Sequence, residues 1–556
     1  MVDRDLANCM DGPISQVACL GASTRKRMVR EGIPDKLGEY FDQRSFWIHD
    51  MEYYDLTYNC LGINPSHLIG KSEYTSFDQA CRSLFREVIA LTNQQSGGIG
   101  FIDFDADMGR YVREESDAEL EESLWQFLLD LNTFVRKGYE RAYVTLNIGL
   151  SLEKQGKRVA HALLFAFSRQ QLVFPNIVFK VKQGVNALPE DPNYDLFCHA
   201  SLVTTQCMNP TYLNMDASFN RDIPASELGI MGCRTRIAAN RFHTASSLQR
   251  GNIAAVTINL VQLALKSDHD TERFDALLPE IMDRAKDLLL HRLHTLAVHG
   301  CFDYVRQHDL YLDSQKDDPM EMLKNGTLSI GFIGLWDALS VLCEIDTTSL
   351  DVLRTYQDKA LQIVRMMRQK TDEYACTENL NFSLLASSAE GVTGYFSQYD
   401  AQHYSHAAAV CAKGHYTNSF HVPVECMLNC FDKIDLEAPF HALCNGGQIT
   451  YVELSELPLG NPNAIRELVN YACARDMGYF GINFPLDICN NCGKKGSFFQ
   501  QCPDCASTDI RRLRRVSGYL SDTNTFTNGK KNELLHRRAH VGVQLPEIKA
   551  TPQTPH

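Results

Sequence analysis

The chain has 556 residues, 44% of them hydrophobic and 22% charged, which excludes a mainly disordered or fibrous protein. Its 54 Lys+Arg against 68 Asp+Glu give a net charge of −14, which speaks against a long nucleic acid as partner, because phosphate neutralisation supplies most of that affinity. A locally basic pocket for a small anion remains open. The 19 cysteines, an odd number, and the acids Asp3 and Asp5 at the start predict a chain without an export leader. No apolar run is long enough for a membrane span. The expected setting is therefore the reducing cytoplasm, with thiols serving as core residues, metal ligands or reactive groups.

In chain order, the aromatic-rich residues 46–60 predict a strand or extended segment. Residues 118–137 predict an amphipathic helix carrying Leu120, Leu124, Phe127, Leu128 and Leu131, with Gly138 as its stop. A strand is expected over 141–150, a helix around 157–171, and a β-rich run over 174–181 entered through Pro175. Residues 251–265 are apolar and β-rich at their start. A long helix is expected to begin near Pro279, a suitable first-turn residue, and to close on Gly300. Residues 351–370 predict another. Strand and helix signals alternate, which places the chain in the α/β class. The expected organisation is one large catalytic domain over 1–485, a Cys-rich insert over 486–510, a C-terminal module over 511–540, and a loose tail over 541–556.

Cys489-Asn490-Asn491-Cys492 and Cys502-Pro503-Asp504-Cys505 are two CxxC knuckles nine residues apart. Each turn aims two thiolates at one centre, and two turns complete a tetrahedral four-sulfur set suited to a structural Zn2+, with an iron–sulfur cluster as the alternative. Shortly after them comes Arg514-Arg515-Val516-Ser517-Gly518-Tyr519-Leu520. This run resembles the Arg-Val-x-Gly-Tyr/Phe loop of glycyl radical enzymes, and its place after a four-Cys ribbon resembles the anaerobic (class III) ribonucleotide reductases. Asn528-Gly529-Lys530-Lys531, Glu533 and Arg537-Arg538 are similar to that family's tail. Only glycine serves at such a site: loss of a Cα hydrogen leaves a planar, delocalised radical that a side chain would oppose and shield.

The resemblance implies a ten-stranded α/β barrel, a stored glycyl radical on Gly518 made by a separate radical-SAM activase, and a thiyl relay. Gly229-Ile230-Met231-Gly232-Cys233-Arg234-Thr235-Arg236 is similar to the finger loop that carries the thiyl cysteine, which makes Cys233 the relay. Reducing a ribose 2′-hydroxyl takes two further electrons. Asn59, Cys60 and Met231 resemble the formate-using subgroup, so formate is the expected reductant and Cys60 its cysteine, although a core thiol at 60 and a gap-filling Met231 are the plain alternatives. The expected substrate contacts are His49, Thr235, Asn252, Glu390 and Asn418, each of which has a purely structural alternative. The pair Gly446-Gly447 is read as a backbone cradle for phosphate or as a plain turn.

The implied activity is reduction of ribonucleoside triphosphates by a homodimer under nucleotide effectors. Residues 118–150 are the suspected control region, or else an ordinary packed helix and strand. The early position of His49 leaves no room for an N-terminal ATP-cone, so no dATP off-switch of that type is expected. Two rivals remain: another glycyl radical enzyme, such as a dehydratase or acyl-transferring lyase, and a non-enzymatic zinc-ribbon protein that binds nucleotides.

Overall fold

The computed structural model describes residues 9–70, 74–388, 391–498, 500–516 and 518–540. Five short strands run parallel in sequential order: β1 (Leu61–Ile63), β2 (Ile99–Phe101), β3 (Val144–Ile148), β4 (Asn176–Val181) and β5 (Thr211–Asn214). Parallel neighbours need a crossover, and a helix fills each gap, among them Phe77–Thr92, Asp117–Leu131, Lys154–Ser168 and Tyr194–Cys207. Five more strands repeat the pattern: β6 (Asn252–Asn259), β7 (Thr327–Ile333), β8 (Asn381–Ala386), β9 (Thr450–Glu453) and β10 (Tyr479–Asn483). Here β6, β7 and β8 are parallel, as are β9 and β10. Gly447, just ahead of β9, bridges Leu385 of β8 in the parallel sense.

The two halves meet antiparallel at both seams. Tyr479 of β10 pairs with Leu213 of β5. At the other seam Gly62 N donates to Arg250 O (2.8 Å) and Gln249 N to Gly62 O (2.7 Å). The ring of strands closes, and the expected α/β barrel forms. Every residue of β6 and β7 is buried, as strands covered on both faces must be.

Three expectations about helices change. The helix predicted over 118–137 ends at Leu131, where the Asn132 side chain donates to Leu128 O at 2.9 Å. Residues Phe134–Arg136 and Glu140–Arg141 then form a hairpin, and Gly138 (φ 76°) is its turn, not a helix stop. The long helix spans Thr271–His299 and starts eight residues before Pro279, because Asp270 caps it by accepting from Glu272 N (2.9 Å) and Arg273 N (3.1 Å). Pro279 sits in its interior. The helix expected over 351–370 is longer, Leu350–Thr377.

Beyond the barrel, β11 (Leu486–Cys489), β12 (Lys495–Gly496), β13 (Ile510–Arg515) and β14 (Leu520–Asp522) form one antiparallel sheet in the order β12-β11-β13-β14. The knuckles and the glycine loop are thus two parts of one sheet, with β13 shared between them. Helix Asn528–His536 follows and crosses helix Val392–His403 where a Cβ on Gly529 would lie 2.9 Å from Gly394 Cα. The tail after 540 lies outside the described residues. Among those residues no helix is long and apolar enough to cross a membrane.

Candidate active site

Between β5 and β6 the chain turns inward as a hairpin of Ile230–Met231 and Thr235–Arg236. Side chains of the first half-barrel hold one flank. Ile230 N donates to Asn147 Oδ1 (2.8 Å), Asn147 Nδ2 donates to Ile230 O (3.0 Å), and Thr145 Oγ1 donates to Gly232 O (2.9 Å). The second half holds the other flank: Thr235 bridges Gly447, and Arg236 N donates to Gly446 O (3.1 Å). Gly232 (φ 61°) makes the tip, and half-buried Cys233 follows it.

This arrangement gives Gly446-Gly447 a structural role and favours the plain-turn alternative over a phosphate cradle. Both amide N–H groups are already engaged, Gly446 N with Leu384 O (2.8 Å) and Gly447 N with Cys444 O (3.2 Å). A Cβ on Gly447 would stand 2.2 Å from Arg234 O, so the glycine is there to admit the hairpin.

Below the tip, Cys60 Sγ approaches Met231 Sδ at 4.0 Å within a small apolar cluster that includes Ile102 and Ile237. Burial pushes the Cys60 thiol up to about 12; Asn252 N–H, donating to Sγ at 3.3 Å, opposes the shift, while Asp50 and Cys233 add to it. The thiol is therefore neutral, the form that can give up a hydrogen atom. Asn59 lies alongside, its Nδ2 donating to Asp50 Oδ2 at 2.6 Å. Asn252 is tied into the frame: in the orientation that suits its neighbours, its side-chain nitrogen donates to Thr327 O (2.7 Å) and Ser329 Oγ (2.8 Å). His49 Nε2 meets Thr257 Oγ1 at 2.7 Å, and Thr257 Oγ1 in turn meets Ser387 Oγ at 2.6 Å. Burial lowers the His49 pKa, which favours the neutral ring. Glu390 lies outside the described residues.

The glycine loop lies against the tip of the hairpin. Gly518 is buried, and Tyr451 Oη donates to its carbonyl at 3.4 Å. The Tyr519 ring packs on Phe174 (5.0 Å between centroids) and Tyr143 (5.3 Å). Its hydroxyl lies 3.0 Å from where a Cβ on Gly232 would sit. The residue after Gly518 therefore touches the residue before Cys233. Asn418, which bridges Ile333 at the end of β7, faces the same region from the barrel; its Nδ2 donates to Glu533 Oε2 at 3.4 Å.

In the knuckles, the Sγ atoms of Cys489, Cys492, Cys502 and Cys505 all lie within 4.8 Å of one another. Four thiolates about 2.3 Å from one zinc ion would stand about 3.8 Å apart, so the set fits a single tetrahedral ion, whereas a cluster of several irons would spread its ligands wider. The same turn is used twice. Gly493 N donates to Cys489 O and Ala506 N to Cys502 O, each at 2.9 Å, with both residues at positive φ (76° and 56°).

A sequence model of the anaerobic ribonucleoside-triphosphate reductase family matches residues 7–540. The chain belongs to this family. It is 29% identical over 459 residues to the anaerobic ribonucleoside-triphosphate reductase of Salmonella typhimurium, covering 78% of this chain and 63% of that protein. The enterobacteria phage T4 reductase is 28% identical over 472 residues, covering 78% and 74%. The chain thus spans less than two thirds of the length of the Salmonella relative. Among solved structures, an anaerobic ribonucleotide reductase superposes with a TM-score of 0.71 at 16% identity, covering 91% of this chain and 82% of that one. The Thermotoga maritima reductase with dATP bound in its specificity site gives 0.70 at 15% identity, covering 92% and 90%.

The sequence alone points to no role for three groups at the site: Tyr519, Tyr451 and the set of Arg537, Glu453 and Glu533. The Glu533–Arg537 spacing of four residues, one helical turn, was the available signal for a pair. Nothing local linked either residue to Glu453, more than seventy positions earlier.

Proposed function

We propose that this chain reduces ribonucleoside triphosphates to 2′-deoxyribonucleoside triphosphates by a glycyl and thiyl radical route, with formate as reductant. A radical-SAM activase removes a Cα hydrogen from Gly518. Gly518 then takes the hydrogen of the Cys233 thiol, and the resulting thiyl radical takes the ribose 3′-hydrogen. The 2′-hydroxyl leaves as water. Cys60, held neutral by burial, donates a hydrogen atom to C2′. The Cys60 thiyl radical takes the hydrogen of formate, and the resulting carbon dioxide radical anion passes its electron, with a proton, to the 3′-keto group as it leaves as carbon dioxide. Cys60 is thereby restored, and both electrons of the reduction are formate's. At the end Cys233 returns the 3′-hydrogen, and the radical goes back to Gly518. Positioning carries the chemistry, and the closed barrel keeps water away from the radicals. Zinc in the four-thiolate set supplies a structural cross-link and no open coordination position. The remaining parts of the reading are a cytoplasmic homodimer that responds to nucleotide effectors.

The observation that carries this reading is the contact of Tyr519 with Gly232, which brings the neighbours of Gly518 and Cys233 together. Electron paramagnetic resonance on anaerobically activated protein tests it. A doublet is expected in the wild type and none in Gly518→Ala; a doublet that survives the substitution removes Gly518 from the mechanism. In the same assay Cys60→Ser should keep the doublet and lose turnover with formate by about a hundredfold or more.

A further inference from the structure

The structure assigns to Arg537 the role of a positioning residue that sets the glycine loop against Cys233. This inference rests on the reading of Gly518 as the radical site and adds how that site is held in register.

The loop backbone just before Gly518 is held by one guanidinium. Arg537 Nη1 donates to Arg515 O at 2.8 Å, and Nη2 donates to Val516 O at 3.0 Å. The same two nitrogens each take a carboxylate as well: Nη1 donates to Glu453 Oε2 at 3.0 Å and Nη2 to Glu533 Oε1 at 2.6 Å. All three side chains are buried, with 8% (Arg537), 8% (Glu453) and 5% (Glu533) of their surface exposed. Glu453 ends β9, so it reports the position of the barrel wall; Glu533 belongs to the C-terminal helix. A planar fork with four acceptors fixed in three different elements has one orientation open to it. Two carbonyls of the loop inherit that orientation.

The wider packing points the same way. The helix that carries Glu533 is pinned to the barrel by the backbone contact of Gly529 with Gly394, where a Cβ on either would lie 2.9 Å from the other's Cα. Asn483 at the end of β10 donates a further bond to Arg515 O, at 3.1 Å. The loop is thus held by polar bonds to its carbonyls, which can break and re-form, at the place where an activase must reach Gly518 and the loop must afterwards return. Lysine cannot replace this arrangement, since an ammonium offers its three donors from a single point.

Hydrogen transfer between Gly518 and Cys233 depends on contact, and a misplacement of about 1 Å costs a reaction about a hundredfold. The test divides turnover of CTP by the number of Gly518 spins, both measured on activated full-length protein. Arg537→Gln should form spins within about twofold of the wild type and lose about tenfold or more in turnover per spin, with Arg537→Lys in between. A merely structural role would lower spins and turnover together and leave their quotient unmoved, and that result overturns the assignment. If Arg537→Gln does not accumulate folded, Glu453→Gln decides: a lowered quotient supports the assignment and a wild-type quotient overturns it. A wild-type protein with no doublet would sink the radical reading itself, whereas a wild-type doublet with an unchanged Arg537→Gln quotient sinks this inference alone.

Discussion

Single residues in this molecule are charged or neutral according to what surrounds them. Glu437 is fully buried beside β9, where it accepts from Lys433 Nζ (2.6 Å), Thr450 Oγ1 (2.7 Å) and Val422 N (2.9 Å) and meets His421 Nδ1 (3.0 Å). Burial alone would raise its pKa, but Lys433 and His421 more than reverse that and hold the carboxyl well below its ordinary 4.5. A carboxylate depressed in the folded state stabilises the fold above its unfolded pKa, and that contribution is withdrawn as pH falls toward the folded value. Glu437→Gln should therefore lower Tm at neutral pH, and the gap from wild type should narrow on acidification below about pH 4.5, as thermal melts across pH 3–7 would record. A gap that is constant across this range would contradict the assignment. Cys60 is the opposite case: an acid raised by burial and kept as a thiol, the state that the proposed hydrogen donation needs.

Elements here are placed by close backbone approach as much as by side-chain packing. The finger hairpin reaches the middle of the barrel because Gly447 (φ 136°) leaves room for Arg234 O, while Gly446 faces the Ser383 hydroxyl at 2.5 Å from a would-be Cβ. A hydroxyl can rotate away, but a carbonyl in a ladder cannot. Gly447→Ala should thus cost about 3 kcal/mol or more and displace the hairpin, with Gly446→Ala milder, in chemical denaturation of the two variants. Equal losses would mean that the hairpin yields at no cost. The sequence was most readable where spacing is local. Two CxxC turns, a glycine loop and a Gly-Cys tip each lie within a few residues; the first gathers its four thiols, and the other two meet through Tyr519 and Gly232. It was least readable where the deciding partner is distant. Gly446 N bonds Leu384 O on another strand, and Gly447 is set by the approach of Arg234 O from the finger hairpin; elsewhere one local signal outweighed another, the Asp270 cap over Pro279 and Asn132 over Gly138. The four acceptors of Arg537 come from three separate stretches of chain, so periodicity could not have found them.

At the scale of the whole molecule, the closed barrel and the small sheet behind it have different sources of stability. The barrel buries two rows of apolar strands, whereas the four-stranded sheet around Cys489 and Cys502 has only a small cluster of its own, with Ile510 and Phe498. Metal should carry much of that sheet, since closed four-thiolate sites contribute folding energy directly. Treatment with a zinc chelator is expected to raise hydrogen exchange across residues 486–522 while β6 and β7 stay protected. Because β13 runs from the knuckles into the glycine loop, the treated protein should also form fewer Gly518 spins. Unchanged exchange in the sheet would show that it holds without metal.

The order of the barrel strands along the chain has a bearing on biosynthesis. The ring cannot shut until β10, ending at Asn483, has paired with β5, and the glycine loop follows only some thirty residues later. A ribosome that stalls before that point therefore releases a polypeptide that has Cys233 but lacks Gly518. On the proposed reading, such truncated products hold the relay thiol without the residue that would store the radical.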